Sequence, residues 1–463
     1  MKKLALLAMM LLAGISGVSA QDTPPAGTPV IKLTTKPGST IAVTMRVYDP
    51  NMYVWIETTS GSFRKELISA DYDNPSNFKI DCPGNTVNLY SHVADFSCSN
   101  NKDAITAIDA SNNPDLGTLY CHVNAIETLK VTGCPYLIDL SCGKNKLKEL
   151  DLTGINYLQY LFCYENQLDK LDISHCKLIQ ELECSSNRLE VLDLSHMSKA
   201  TTIMCQDNQI KELNLLSCKK LQEFSCAKNQ IKTLNLDSCV SLQGFSCGSN
   251  LLTSLDVSQC TNLNRLFCSE NSNLSEIKLA PNQLQQFSAM ECGLQEMTLA
   301  NMPNLTKAMF SKNPMKAFTL ENCDKLNNLV LDQCQISVCD LNEAIKNLPI
   351  TTGGNLKIAG NPDVETAKTA DAQQRGWNVD VQGDGSGCSA GIKAMNEQEI
   401  VSTYRSTIEV MTPRASQVAV YDMAGRMVAN ITTSAHTPIA IPVENRKPYV
   451  VAIDQNTHKV FVK

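Results

Sequence analysis

The sequence predicts an α+β, mostly β chain: a solenoid of about twelve 21-residue coils between two caps, followed by a β-sandwich-like tail. Three observations carry this. Cysteine recurs every 21 residues, at Cys121, Cys142, Cys163, Cys184, Cys205, Cys226, Cys247 and Cys268, and the same phase then gives Ala289, Phe310 and Leu331. Asparagine follows three residues later in most units, from Asn124 to Asn271 and again at Asn313, with Cys292 and Cys334 in that place in two late units. A beat of leucines surrounds both, giving the consensus LxxLxCxxNxLxxLxLxxCxxL. Fixed-period self-similarity means stacked units, because one unit cannot bury its apolar side alone. Cys98 and Asn101 open the array, with two extra residues before the next unit.

Residues 1–20 read as a secretory signal peptide. Lys2 and Lys3 precede an apolar run, and Val18-Ser19-Ala20 offers a small-residue cleavage site. The run is too short for a membrane span, and no later stretch of 18 residues is apolar, so no transmembrane span is expected. The net charge of −7 argues against nucleic acid as a partner.

Residues 21–95 alternate like strands in "IKLTT", "TIAVTMRV" and "MYVWIE", with turn residues such as Lys36-Pro37-Gly38 between them. They are expected to form a small β cap. Residues 96–339 form the solenoid. In each coil a short strand alternates inward and outward, so Leu161 and Cys163 point in and Phe162 points out. The asparagines are placed in the turn, where an amide satisfies unpaired backbone groups. Residues 340–382 predict a C-terminal cap: a helix in "VCDLNEAIKNLP", a strand and turn in "NLKIAGNP", and a second helix in "VETAKTADAQQRGWNV". Residues 383–391 are rich in Gly and Ser and read as a flexible linker. Residues 392–463 form the β-rich tail.

The cysteines read as packing. A second column holds Cys134, Ile155, Cys176, Met197, Cys218, Cys239, Cys260, Pro281, Met302 and Cys323. A ligand column could not exchange Cys for Ile, Met or Pro, whereas free cysteine packs as a small hydrophobe. Stacked side chains point in parallel, which suits a disulfide poorly. A ladder of reduced, buried thiols is expected. Cys82, Cys339 and Cys388 lie outside both columns, and their redox state stays open.

The 21-residue leucine-rich repeat with its cysteine column, from Cys98 to Leu331, resembles the internalin-type surface proteins, in particular those with a cysteine ladder. The resemblance implies a secreted or surface-displayed binding protein with roles in adhesion, host-cell contact or biofilm. In the tail, Val420-Tyr421-Asp422, Gly425-Arg426 and the terminal "KVFVK" resemble the C-terminal sorting domain of the type IX secretion system, although its usual Gly-x-Tyr reads Lys447-Pro448-Tyr449 here. That implies export to the outer-membrane exterior, with the secretion machinery as a partner of the tail.

No catalytic or metal site is expected, and no cofactor. None of the common nucleophile, zinc or nucleotide motifs occurs. His175 and His196 fall at equivalent places in adjacent coils, but a solvated turn is the simpler reading. The Asp151, Asp172, Asp193, Asn214, Asn235 and Asp256 column suits turn hydrogen bonding better than a carboxylate cluster. The strands are expected on the concave side, where most outward positions are small or polar. Two coils differ: Tyr160, Phe162 and Tyr164 stand on one, Tyr120 and His122 on the other. Aromatic residues are only 5% of the chain, so their clustering there marks a candidate site for an extracellular protein or glycan, host or bacterial. Ser141 and Gly143 between them suggest a shallow trough. The alternative is a structural surface or matrix component without a dedicated ligand, the aromatics merely covering core edges near the N-terminal cap.

Overall fold

The computed structural model describes residues 23–59, 61–280, 283–388, 400–404, 407–411, 416–433, 439–444, 447–453 and 456–462. The predicted signal peptide and Pro281 of the second column lie outside them, as do residues 389–391 of the predicted linker.

One sheet of sixteen strands runs the length of the repeats. Twelve of its strands are those of the coils, from Asp95–Ser97 to Asn328–Val330, each stepping 21 residues or close to it along a parallel ladder. The register Leu140↔Leu161↔Leu182 puts leucine beneath leucine. In Tyr160–Phe162 only the central residue is buried, as period-2 alternation requires. Every column cysteine from Cys98 to Cys268 is buried, and so are Ala289, Phe310 and Leu331 in the same phase. All belong to one continuous core that extends from Ile31 to Trp377.

The asparagines bind successive coils together. Asn229 Nδ2 donates to the carbonyls of Cys205 (3.1 Å), Cys226 (3.0 Å) and Ala227 (3.2 Å), and its Oδ1 accepts from the Ile210 N–H (2.9 Å). The residue before the asparagine is left-handed in coil after coil, including Val123 (φ 58°), Lys144 (54°) and Glu165 (49°). Non-glycine residues rarely adopt that backbone, at a cost on the order of 1 kcal/mol each, so something must hold it. The buried amide does so. In two late coils a thiol substitutes for it: Cys292 Sγ donates to the Cys268 carbonyl at 3.4 Å and Cys334 Sγ to that of Phe310 at 3.2 Å. Asn229→Ala should therefore destabilise by about 3 kcal/mol, because buried donors and acceptors are left unpaired. Asn229→Cys should recover part of that loss. Chemical denaturation of the two variants checks the order.

The Asx column performs the turn bonding expected of it: Asp151, Asp172, Asp193 and Asp256 each accept a backbone N–H two residues on, at 2.9 Å.

The N-terminal cap is built from strands, and it reaches further than residue 95. Ser39–Arg46 and Ser76–Cys82 extend the long sheet antiparallel beyond the first coil. A second sheet of six strands includes Val30–Thr35 and Thr86–Tyr90 but also Ile105–Asn112 and Thr128–Lys130, which belong to the first two coils. Cap and solenoid thus share both sheets and one core. Cys82 is a buried free thiol.

The C-terminal cap contains a further repeat unit that the period conceals. Leu356, Ile358 and Asn361 keep the spacing of Leu161, Cys163 and Asn166. Asn361 Nδ2 donates to the Leu331 and Ile358 carbonyls, and its Oδ1 accepts from the Ile336 N–H. The count of twelve is corrected accordingly. Its strand, Gly354–Lys357, pairs parallel with Asn328–Val330, and Trp377–Val379 adds one more. Helix α1, Val338–Lys346, is capped by Ser337 and replaces the irregular return of that coil. Of the second predicted helix, only a short 3-10 turn at Val364–Thr366 and α2, Thr369–Gln374, are helical. Trp377 is buried over the open end, and its Nε1 donates to the Pro349 carbonyl at 2.8 Å.

Residues 383–388 are not a free linker. Cys388 is disulfide-bonded to Cys339 in α1, Gly383 N donates to Thr369 Oγ1 and Gly387 N to the Thr366 carbonyl. A Cβ at Gly383 would come within 2.2 Å of the Ala367 carbonyl oxygen, so this glycine serves close backbone approach rather than flexibility.

The secondary-structure elements of the described part of the tail are all strands. Ile400–Tyr404, Thr407–Met411 and Ile439–Pro442 form one sheet, and Gln417–Asp422, Met427–Thr432, Lys447–Ile453 and Asn456–Val462 another. Val418, Val420, Ile408, Val410, Val451 and Ile453 make its own core. Asp422 Oδ1 accepts from the N–H groups of Ala424 and Arg426, which fixes the turn at Gly425-Arg426.

Candidate binding face

The outward positions of the coil strands make a face whose two ends differ. Tyr160 and Phe162 flank buried Leu161, and Tyr164 follows the column cysteine. Tyr120 and His122 hold the same positions two coils earlier. All five side chains are half-buried on this face.

The expected trough between them is filled. A Cβ at Gly143 would lie 2.6 Å from the Tyr164 ring, so the ring rests on that glycine. His122 Nδ1 lies 3.0 Å from Ser99 Oγ and 3.2 Å from Ser141 Oγ. Small residues in the middle coil leave room that their neighbours take. Burial pulls the His122 pKa down, which favours its neutral form.

Carboxylates interleave with the rings. Asp139, Tyr160 and Glu181 stand side by side in register, and Glu183 pairs with Phe162. Tyr120 donates its hydroxyl to Asp139 Oδ2 at 2.7 Å. Burial raises the Asp139 pKa, opposed by the Tyr120 hydrogen bond and reinforced by Glu181 and Asp95. Burial and then Glu165 raise that of Glu183, while Lys144 lowers it. Sequence reading passed over these acids as ordinary polar positions, although the alternation that exposes Phe162 also exposes Glu183.

Two further features escaped it. Tyr136 and Tyr157, six residues before their column cysteines, are 44% and 53% exposed, with ring centroids 6.2 Å apart. On the cap, the Arg46 guanidinium lies 5.4 Å from the Tyr48 ring centre and 5.5 Å from that of Tyr72. Aromatic surface therefore gathers around the first coils. Towards the other end of the face the same register runs Phe267, Ser288, Met309 and Val330, apolar but for the serine and without a tyrosine.

Burial pushes the thiols up in pKa, to about 12 at Cys142 and about 11 at Cys176, so they are protonated at neutral pH and poor metal ligands. Among the described residues no group of three His, Cys, Asp or Glu is placed to hold a metal, and no helix is long and apolar enough to cross a membrane.

No family model matches the chain. No curated protein matches it either. Among solved structures, an internalin (InlF) of Listeria monocytogenes is 17% identical, covers 64% of this chain and 90% of its own, and aligns with a TM-score of 0.51. The functional domain of InlJ from the same species, which includes a cysteine ladder, covers 83% and 94% at 18% identity with a TM-score of 0.34. A leucine-rich-repeat protein of Leptospira interrogans covers 59% and 81% at 18% identity, with a TM-score of 0.45. The likeness to InlF shows the fold: the array is a leucine-rich-repeat solenoid.

Proposed function

We propose that this leucine-rich-repeat protein is an exported binding protein that takes an extracellular protein or glycan partner on the strand face of its first coils, in adhesion, host-cell contact or biofilm. The observation that carries the reading is the cluster of Tyr120, His122, Tyr160, Phe162 and Tyr164 on one face of a chain poor in aromatic residues. Rigid aromatic side chains bring large contact area and lose little conformational entropy on binding. The tail, by its resemblance to type IX sorting domains, delivers the protein to the cell surface.

The test is capture by the mature chain from host extracellular matrix and from the organism's own surface extract. Phe162→Ala and Tyr160→Ala, in variants that melt like the parent, should each weaken capture about tenfold or more, the loss typical of a central interface aromatic. Glu212→Ala, exposed and outside the strand face, should leave it unchanged. Equal capture by all variants would move the site elsewhere and favour a structural surface component.

A further inference from the structure

The face carries a row of acids, and the chain itself shows how two of them are answered. Asp95, Asp139, Glu181 and Glu223 share one outward position on alternate coils. Stacked strands are about 4.8 Å apart, so neighbours in the row are about 10 Å apart. The first member, Asp95, is ion-paired with Arg46, whose guanidinium also lies against Tyr48 and Tyr72. The last, Glu223, is ion-paired with Arg265 at 2.6 Å across the intervening coil. That coil has Gly244, where a Cβ would be 2.9 Å from the Arg265 guanidinium. Arginine laid along the face over an intervening residue is thus a contact this surface already makes.

The middle of the row lacks one. Asp139 and Glu181 flank Tyr160, with Glu183 one row over beside Phe162. Among the described residues none of these three acids is in an ion pair. Lys144, whose charge acts on Glu183, is itself paired with Glu165 at 3.4 Å. The outward strand positions of the coils from Cys121 to Cys226 hold no Lys or Arg. We infer that the partner supplies the missing cation: an arginine or lysine side chain of a basic protein segment, seated over Tyr160 between Asp139 and Glu181. Carboxylates on both sides and an aromatic face below favour a guanidinium by charge and by cation–π attraction together. Burial first, and then nearby acids, raise the pKa values of Asp139 and Glu183, with Lys144 offsetting part of the rise at Glu183. A neutral glycan would bring these acids no counter-charge.

This inference rests on the binding-face reading and names its partner class. The probe is an acetylated octa-arginine peptide, titrated against the full mature chain at low and high salt, with an octa-glutamate peptide as control. Glu181→Gln should weaken the arginine peptide at least tenfold. Glu181→Arg, which sets a guanidinium of the chain's own beside Tyr160, should abolish binding. Glu212→Gln removes the same charge elsewhere and should change little. Equal weakening by Glu181→Gln and Glu212→Gln, or no binding to the parent chain, would overturn the inference, since the attraction would be to net charge alone or absent. The two readings fail differently. If Phe162→Ala abolishes capture of the natural partner and Glu181→Gln leaves it intact, the basic partner is wrong and the face is right. If Phe162→Ala leaves capture intact, the face itself is wrong.

Discussion

Cys205→Asp should unfold the middle of the solenoid, while Cys205→Ala or Cys205→Val should only weaken it. Cys205 is buried, its thiol donates towards the Ser225 carbonyl at 3.4 Å, and its neighbours in the column are Cys184 and Cys226. A carboxylate there has no counter-ion, and burying an unpaired charge costs several kcal/mol. Truncation to Ala loses only a small apolar group, for about 1–2 kcal/mol. The effect of Asp spreads, because each coil is stabilised by its two neighbours and a broken coil uncouples both halves. Circular dichroism and thermal melts of the three variants check this. Equal tolerance of Asp and Val would mean that the column is not core.

Alkaline pH should dismantle the fold as effectively. In the folded chain burial raises the column thiols, Cys142 to about 12 and Cys121, Cys163, Cys184, Cys205, Cys247 and Cys268 well above their ordinary value. In the unfolded chain a thiol titrates near 8.5. A group raised by folding contributes stability that is fully present below its unfolded pKa and is lost as pH rises towards its folded one. Each pH unit above about 8.5 then costs about 1.4 kcal/mol per thiol, so these seven column thiols lose on the order of 15 kcal/mol by pH 10. That matches the whole stability of an ordinary domain, about 5–15 kcal/mol. Anaerobic melts from pH 7 to 10 should fall steeply above pH 9. A Cys163→Ala, Cys184→Ala, Cys205→Ala variant should melt lower than the parent at pH 7 yet lose less between pH 8 and 10. Parallel curves would contradict a buried thiol column.

Much of this was legible in the sequence because a repeat states each rule many times. Cys163 alone is ambiguous, but its exchange with Ala289, Phe310 and Leu331 reveals packing. The asparagine bonds followed from side-chain chemistry and spacing. What stayed hidden is written once or not in side chains at all. The unit of Leu356, Ile358 and Asn361 lost its period because α1 lengthens the return between it and the previous coil. The left-handed turns at Val123, Lys144 and Glu165 leave no mark, since the asparagine beside them imposes the backbone. Gly383 and Gly387 look like a linker in composition, and only the backbone of residues 365–367 and the Cys339–Cys388 bond show them packed. On the face, alternation placed the aromatics correctly as outward. It could not show Tyr164 lying down on Gly143, because a rotamer depends on the space a neighbouring coil leaves.

The measurement that tests the account most directly is a thiol count on the exported protein, purified without reductant, before and after unfolding. The chain has 20 cysteines. Two form the Cys339–Cys388 bond, and the other eighteen are buried free thiols. A buried, reduced ladder gives almost no reactive thiol in the native protein and eighteen on unfolding. Few new thiols on unfolding would mean that the ladder is oxidised, and the cysteines would then be cross-links rather than core.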